Sequence, residues 1–131
     1  MTSTFITKLE TVLILYAYEI DNKIADGTLR LNLVIKKTGY HIVEVYHYGF
    51  WGGISANTTA LPEATVICRQ LGYRFATQFS CCPPVPRRKI WISRLKCLGN
   101  ESKITDCRMK YGVSKDIDTL SLLQIKCHGK I

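Results

Sequence analysis

The residues of this sequence with the most chemistry to offer are its six cysteines. Cysteines that bind zinc usually come with spacings such as CxxC or CxxH, and neither spacing occurs here. Six cysteines in 131 residues are instead typical of an oxidising compartment, where disulfides stabilise a small fold. Two of the six are adjacent and the others stand alone: they are Cys68, Cys81, Cys82, Cys97, Cys107 and Cys127.

Catalytic chemistry has little support in the sequence. The GxSxG, HExxH, GxGxxG and P-loop motifs do not occur. His47 lies on an alternating strand, where a surface or packing role is favoured over that of a base, and His128 follows the last cysteine. A cysteine–histidine nucleophile pair stays open, but it needs a cysteine outside a disulfide. We predict a non-enzymatic chain with no catalytic residue and no cofactor.

The chain is strongly basic, with a formal net charge of +8. Residues 27–131 hold 16 Lys and Arg against 6 Asp and Glu, a balance that favours polyanions such as glycosaminoglycans, nucleic acid or anionic lipid. We expect no specific binding of nucleic acid. Basic groups on both sides of a predicted strand form a candidate ligand-binding patch, and the alternative is a solubilising run of charges without a partner. The candidates are Arg87, Arg88, Lys89, Arg94 and Lys96.

Two N-glycosylation sequons agree with secretion. Asn57 begins Asn-Thr-Thr and Asn100 begins Asn-Glu-Ser, and both lie in predicted loops. Asn100 has an alternative role, because it could cap the short helical turn predicted over residues 101–106. Both asparagines are glycosylation candidates.

Residues 1–26 form an N-terminal segment ahead of the predicted domain at residues 27–131. The apolar run at 12–18 lies between Glu10 and Glu19. A bilayer takes about 20 apolar residues to span, so we expect no transmembrane segment in this chain. Three interpretations stay open for the segment: a degenerate signal peptide, a fragment of an upstream region, or a misassigned start.

Apolar periodicity predicts one main helix among short strands. The helix covers residues 64–73, with an apolar stripe from Ala64 to Leu71 and Gly72 at its left-handed end. Glu63 suits the first turn, where negative charge meets the positive end of the helix dipole. Residues 74–89 lose periodicity and predict a long surface loop. The predicted strands are 29–33, 43–47, 90–92 and 120–127.

Four motifs, in their order and spacing, resemble the scavenger receptor cysteine-rich (SRCR) family over residues 27–129. They are VEVYHYGFWGG at 43–53, ATVICRQLGY at 64–73, IWISRLKCLGNESKITDC at 90–107 and IKC at 125–127. The resemblance implies an α+β fold, in which a curved antiparallel sheet of five or six strands cradles one main α-helix and disulfides staple the two. It also implies an extracellular location, either secreted or in the ectodomain of a larger membrane protein.

The resemblance implies a covalent framework as well. The cysteine of the helix would pair with that of the last strand, Cys68 with Cys127, and Cys97 would pair with Cys107. One bridge that is usual in the family is missing, because Ile54 stands where most members have a cysteine.

Cys81 and Cys82 have no counterpart in the family. Adjacent cysteines rarely bond to each other, because the eight-membered ring strains the peptide. We leave both unassigned: an intermolecular disulfide, free thiols, and a bond to a residue outside this chain all stay open.

Several SRCR domains bind calcium through acidic residues at three places. Here these places hold serine, alanine and asparagine at 55–57, serine and arginine at 93–94, and serine and two leucines at 121–123. Calcium takes several oxygen ligands with carboxylate charge, so we predict no metal site of the family type.

The predicted function is an extracellular ligand-binding module of scavenger-receptor type that favours polyanionic or protein ligands through a basic surface. The alternative is a non-catalytic accessory domain of a larger extracellular protease or lysyl-oxidase-like protein, since SRCR domains also flank such enzymes. A third hypothesis is a structural spacer without a ligand, which the loss of the acidic cluster favours.

Overall fold

The computed structural model describes residues 24–33, 38–83, 89–112 and 121–131. The apolar run at 12–18 and the candidates Arg87 and Arg88 lie outside these residues. Within them the chain forms seven strands, one α-helix and one 3₁₀ turn. In chain order these are β1 (Leu29–Leu33), β2 (His41–His47), β3 (Phe50–Ile54), α1 (Leu61–Gln70), β4 (Tyr73–Cys81), β5 (Ile90–Lys96), the 3₁₀ turn (Ile104–Asp106), β6 (Arg108–Tyr111) and β7 (Leu123–Lys130).

The strands form one sheet with the order β4-β7-β2-β3-β5-β6, and β1 pairs with β2 beside this path. β3 and β5 run parallel, whereas the other pairs are antiparallel. The parallel pair arises because α1 and β4 lie between these strands in sequence and provide the long connection that parallel strands need. The predicted α+β fold is confirmed, with the correction that the sheet is mixed rather than antiparallel throughout.

Helix α1 forms where the apolar periodicity predicts it, and its first turn contains Pro62 and Glu63, as the sequence indicates. Ala64, Ile67 and Cys68 are fully buried in the main core, which they share with residues of the sheet. At the end of the helix Gly72 has a φ of +92°, a left-handed conformation that glycine adopts at little cost. This turn directs the chain straight into β4.

Strand β4 replaces the first half of the predicted surface loop at 74–89, so that prediction is wrong for residues 74–81. β4 pairs with β7 at seven positions, with a register shift between Ala76 and Gln78. Ala76, Phe79 and Cys81 lie opposite core-side residues of β7, and of these three only Ala76 is buried. Because of the bulge their spacing is three and then two residues, which hides the two-residue period of a strand.

The region of β5 and β6 also differs from the predictions. β5 continues past Ile92 to Lys96, and β6, which the sequence patterns do not predict, pairs with it along one edge of the sheet. The half-buried Met109 of β6 packs against the core. Among the described residues, no helix is long and apolar enough to cross a membrane.

Candidate ligand-binding surface

All six cysteines lie in three disulfides. One joins Cys68 of α1 to Cys127 of β7, with 5.5 Å between their Cα atoms, and another joins Cys97 to Cys107, with 4.8 Å. These are the two pairs that the family resemblance implies. Ile54, which stands where most members have a cysteine, is fully buried in the core, so apolar packing occupies the place of the missing bridge.

Cys81 and Cys82 bond to each other, and the expectation that they do not pair is wrong in this structure. Successive side chains of a strand point to opposite faces, which would keep the two sulfurs apart. β4 ends at Cys81, however, and Cys82 has a φ of +69°. This turn breaks the alternation and brings both sulfurs to one side, so neither an intermolecular bond nor a free thiol is present here.

A buried carboxylate ties the start of α1 to the end of β5. The Glu63 side chain is 3% exposed, and it accepts hydrogen bonds from the backbone N–H of Ala60 at 2.7 Å and of Cys97 at 2.9 Å. From the sequence we predict only that the negative charge of Glu63 suits the start of the helix. The contact with Cys97, 34 residues away in sequence, fixes the loop that carries the second disulfide.

The three places that hold calcium ligands in several SRCR domains meet at one end of the sheet. The backbone N–H of Ser55 donates to the carbonyl of Ile92 at 2.8 Å, and that of Ala56 donates to the carbonyl of Ser121 at 2.9 Å. The side chains brought together are hydroxyls, amide and alkyl groups with the exposed Arg94 beside them. Arginine donates hydrogen bonds and accepts none, so Arg94 offers calcium no ligand at this place.

One other group of potential metal ligands occurs in the described residues, formed by Cys97, Glu101 and Cys107. Both sulfurs are bonded to each other and offer no thiolate. The Glu101 carboxylate accepts hydrogen bonds from the backbone N–H groups of Leu98 at 2.9 Å and Gly99 at 2.8 Å. The bond from Leu98 lowers the pKa of Glu101, and the group serves to fix the loop.

The exposed cations of β5 and β6 form a second feature of the same end, here called the β5–β6 basic surface: Arg94, Lys96, Arg108 and Lys110. Lys96 lies directly opposite Arg108, and Lys110 lies opposite Ser93. In the described part of the chain no carboxylate forms a salt bridge with these four residues. Like charges directly opposite each other destabilise a strand pair, so the facing Lys96 and Arg108 repel each other across the two strands.

The predicted patch is only partly brought together. Arg94 and Lys96 lie on the β5–β6 basic surface, whereas Lys89 lies before the other end of β5. Lys89 precedes Ile90, the first residue of β5, and Lys96 is the last residue of that strand, so the two cations lie at opposite ends of it. The ammonium group of Lys89 lies 4.7 Å from the ring centre of Trp91. Arg108 and Lys110 were outside the sequence-based patch, and the Arg-Met-Lys alternation after Cys107 is the signal that points to them.

His47 has a packing role. Its side chain is buried, with Nδ1 3.1 Å from a carboxylate oxygen of Asp26. The ring stacks on Tyr111 at 4.4 Å and meets the edge of Trp91 at 5.0 Å. Burial raises the pKa of Tyr111, and the nearby Asp26 charge adds to this. Because every cysteine is in a disulfide, the cysteine–histidine pair that the sequence left open has no thiol.

The fold and its bridges define a small, disulfide-stapled α+β module. The family model of the scavenger receptor cysteine-rich domain matches residues 36–128. The chain therefore belongs to the SRCR family. SRCR domains are non-catalytic modules that occur in extracellular proteins and ectodomains, and the predicted extracellular location is confirmed at this level.

The relatives extend well beyond this chain. Human lysyl oxidase homolog 4 is 34% identical over 109 residues, a match that covers 79% of this chain and 14% of that protein. The egg peptide speract receptor of Strongylocentrotus purpuratus is 36% identical over 73 residues, which is 50% of this chain and 13% of the receptor. The chain thus spans about one seventh of these curated relatives.

Solved structures have the same fold. The third SRCR domain of murine neurotrypsin superposes with a TM-score of 0.58 at 27% identity, covering 76% of this chain and 96% of that domain. The SRCR domain of mouse MARCO superposes with a TM-score of 0.60 at 21% identity, covering 82% of this chain and 96% of that chain. The second likeness concerns the fold alone.

Proposed function

We propose that this SRCR domain is an extracellular ligand-binding module that captures polyanions on the β5–β6 basic surface. The observation that carries the proposal is the direct pairing of Lys96 with Arg108 on adjacent strands. Both side chains are exposed, and neither has a carboxylate partner among the described residues. A sulfate or phosphate between them would replace repulsion with two charge-assisted contacts.

The position of the surface also supports binding. β6 is the last strand at its edge of the sheet, so its cations border solvent rather than another strand. Charged residues on an edge strand also deter edge-to-edge aggregation, and this protective role is the competing explanation. The two explanations make different demands on the residues. Protection against aggregation needs only charge on the edge strand, whereas binding of a polyanion needs Lys96 and Arg108 together.

Heparin chromatography of the secreted chain tests the proposal. The double variant Lys96→Ala/Arg108→Ala should elute at distinctly lower salt than the wild type. The matched control is Arg74→Ala/Lys130→Ala, which removes one arginine and one lysine, both exposed, from β4 and β7 on the far side of the sheet. Equal shifts for both variants would mean that net charge alone sets retention, and an unretained wild type would favour the spacer hypothesis.

The run Arg87, Arg88 and Lys89 remains part of the proposal as a separate group of cations. Replacing these three residues with alanine in the same assay shows whether they add to the β5–β6 basic surface. A shift larger than that of the Lys96→Ala/Arg108→Ala variant would move the principal site to this run.

A second candidate function is that of a non-catalytic accessory domain in a larger extracellular enzyme. The identity to human lysyl oxidase homolog 4, of which the match covers 14%, favours it. Sequencing the full-length transcript tests it directly: a downstream lysyl oxidase or protease domain would support this role, and a transcript that encodes neither would refute it.

A further inference from the structure

Two leucines beside the start of α1 are unusually exposed. Leu61 is 48% exposed and Leu98 is 86% exposed. Together with Pro62, Thr65 and Gly99 they line a shallow concavity of about 200 Å³. We call these five residues the leucine patch. Adjacent exposed apolar side chains on an extracellular domain favour association or aggregation unless something covers them.

The backbone holds Leu98 in this exposed position. Glu63 binds the N–H of Cys97 just before it, and the Arg69 guanidinium donates to the carbonyl of Gly99 just after it. Glu101 accepts from the N–H of Leu98 itself. These bonds fix the backbone on both sides of Leu98, so the loop holds this residue at the surface.

Both glycosylation sequons of the chain border the leucine patch. Asn100 lies two residues after Leu98, and Asn57 lies four residues before Leu61. The Lys96 ammonium group donates to the carbonyl of Thr58 at 3.4 Å, which holds the first sequon against the end of β5. The second sequon begins at Asn100, in the loop that follows β5. Both asparagine side chains are exposed.

We propose that Asn57 and Asn100 both carry N-linked glycans and that these glycans cover the leucine patch. The glycan donor is an oligosaccharide linked through C1 to a lipid pyrophosphate. A bond forms between the asparagine Nδ2 and C1, the bond from C1 to the phosphate oxygen breaks, and Nδ2 loses one proton as the lipid pyrophosphate leaves. The bulky, solvated sugars then lie over Leu61 and Leu98 and present hydroxyl groups to the solvent in place of the two apolar side chains. This proposal does not depend on polyanion binding.

Site occupancy is the first test. The full chain is secreted from mammalian cells, and its mass is measured before and after treatment with peptide N-glycosidase. The wild type should lose two glycans, Asn57→Gln and Asn100→Gln should each lose one, and the double variant should lose none. An unmodified wild type would overturn the proposal.

Coverage is the second test, and it uses folded protein from which the glycans are removed enzymatically, so that glycosylation during folding is not disturbed. Binding of the apolar dye ANS should rise when the wild type is deglycosylated. Leu61→Ser/Leu98→Ser should show no such rise. An unchanged wild type, or an equal rise in the leucine variant, would refute coverage. A glycan-free dimer that Leu98→Ser dissociates would show that a second copy covers the patch instead.

Discussion

Replacement of Glu63 with alanine should destabilise the domain strongly, although the residue is charged and lies in the first turn of a helix. The change removes both hydrogen bonds from the backbone N–H groups of Ala60 and Cys97. A hydrogen bond to a charged group contributes about 1.5–3 kcal/mol. Ala60 is exposed, so its N–H can turn to water, whereas that of Cys97 is more enclosed. We expect a loss of about 3 kcal/mol in the free energy of unfolding.

The assay is thermal unfolding followed by circular dichroism with the disulfides intact. For a domain of about 100 residues, 3 kcal/mol corresponds to a fall in Tm of about 12–24 °C. Glu63→Gln keeps one acceptor oxygen and should lose about half as much. The matched control is Glu101→Ala, which also removes two backbone contacts. These join residues two and three apart in sequence and at least one is exposed, so its Tm should fall much less. If Glu63→Ala melts within two or three degrees of the wild type, or no lower than Glu101→Ala, the reasoning about Glu63 is wrong.

Three further results are expected. Replacing Cys68 and Cys127 together with alanine opens a bridge that spans 59 residues and should cost about 4 kcal/mol on the chain-entropy model; an unchanged denaturation midpoint would contradict this. Partial reduction followed by alkylation and mass spectrometry should label Cys81 and Cys82 first, because both are exposed while Cys68 is fully buried; simultaneous labelling of all six would count against it. Because folding lowers the pKa of Glu101 from 4.5, its stabilisation is present above pH 4.5 and is lost as the pH falls through the lower folded-state pKa. The Tm difference between wild type and Glu101→Gln should therefore shrink on acidification, and a difference that grows would reverse the sign of this argument.

The parts of the fold that the sequence predicts are those specified by neighbouring residues. The stripe from Ala64 to Leu71 and the glycine at position 72 are local signals, and α1 follows them. The alternation in β2 is likewise local. β4 has a bulge near Ala76, so the residues that lie opposite core positions of β7 do not alternate along it. Its pairing with β7 depends on a partner about 50 residues away in sequence. The periodicity of apolar residues along the chain contains no information about such a distant partner.

The candidate site shows the same limit. Arg94 and Lys96 are visible as charges near a predicted strand, but the addition of Arg108 depends on the register between β5 and β6. The second hydrogen bond of Glu63 depends on the packing of the loop at Cys97 against α1. Cys81 and Cys82 pair because the backbone turns at Cys82. The spacing of cysteines in the sequence does not predict this backbone conformation.

The place of β7 in the sheet has a consequence for how the protein is made. β7 is the last of the described strands, yet it lies between β4 and β2 and carries the partner of Cys68. During synthesis, β2, α1 and β4 leave the ribosome well before the strand that joins them. The sheet therefore closes late and through distant contacts, which makes folding slow.

The thiol of Cys68 meanwhile shares the nascent chain with four other cysteines before Cys127 appears. Each of these four cysteines can form a non-native disulfide with Cys68. Such a disulfide rearranges to the native one by thiol–disulfide exchange, which takes seconds to hours. The yield of secreted protein should accordingly follow the disulfide isomerase capacity of the host more closely than the stability of the finished domain.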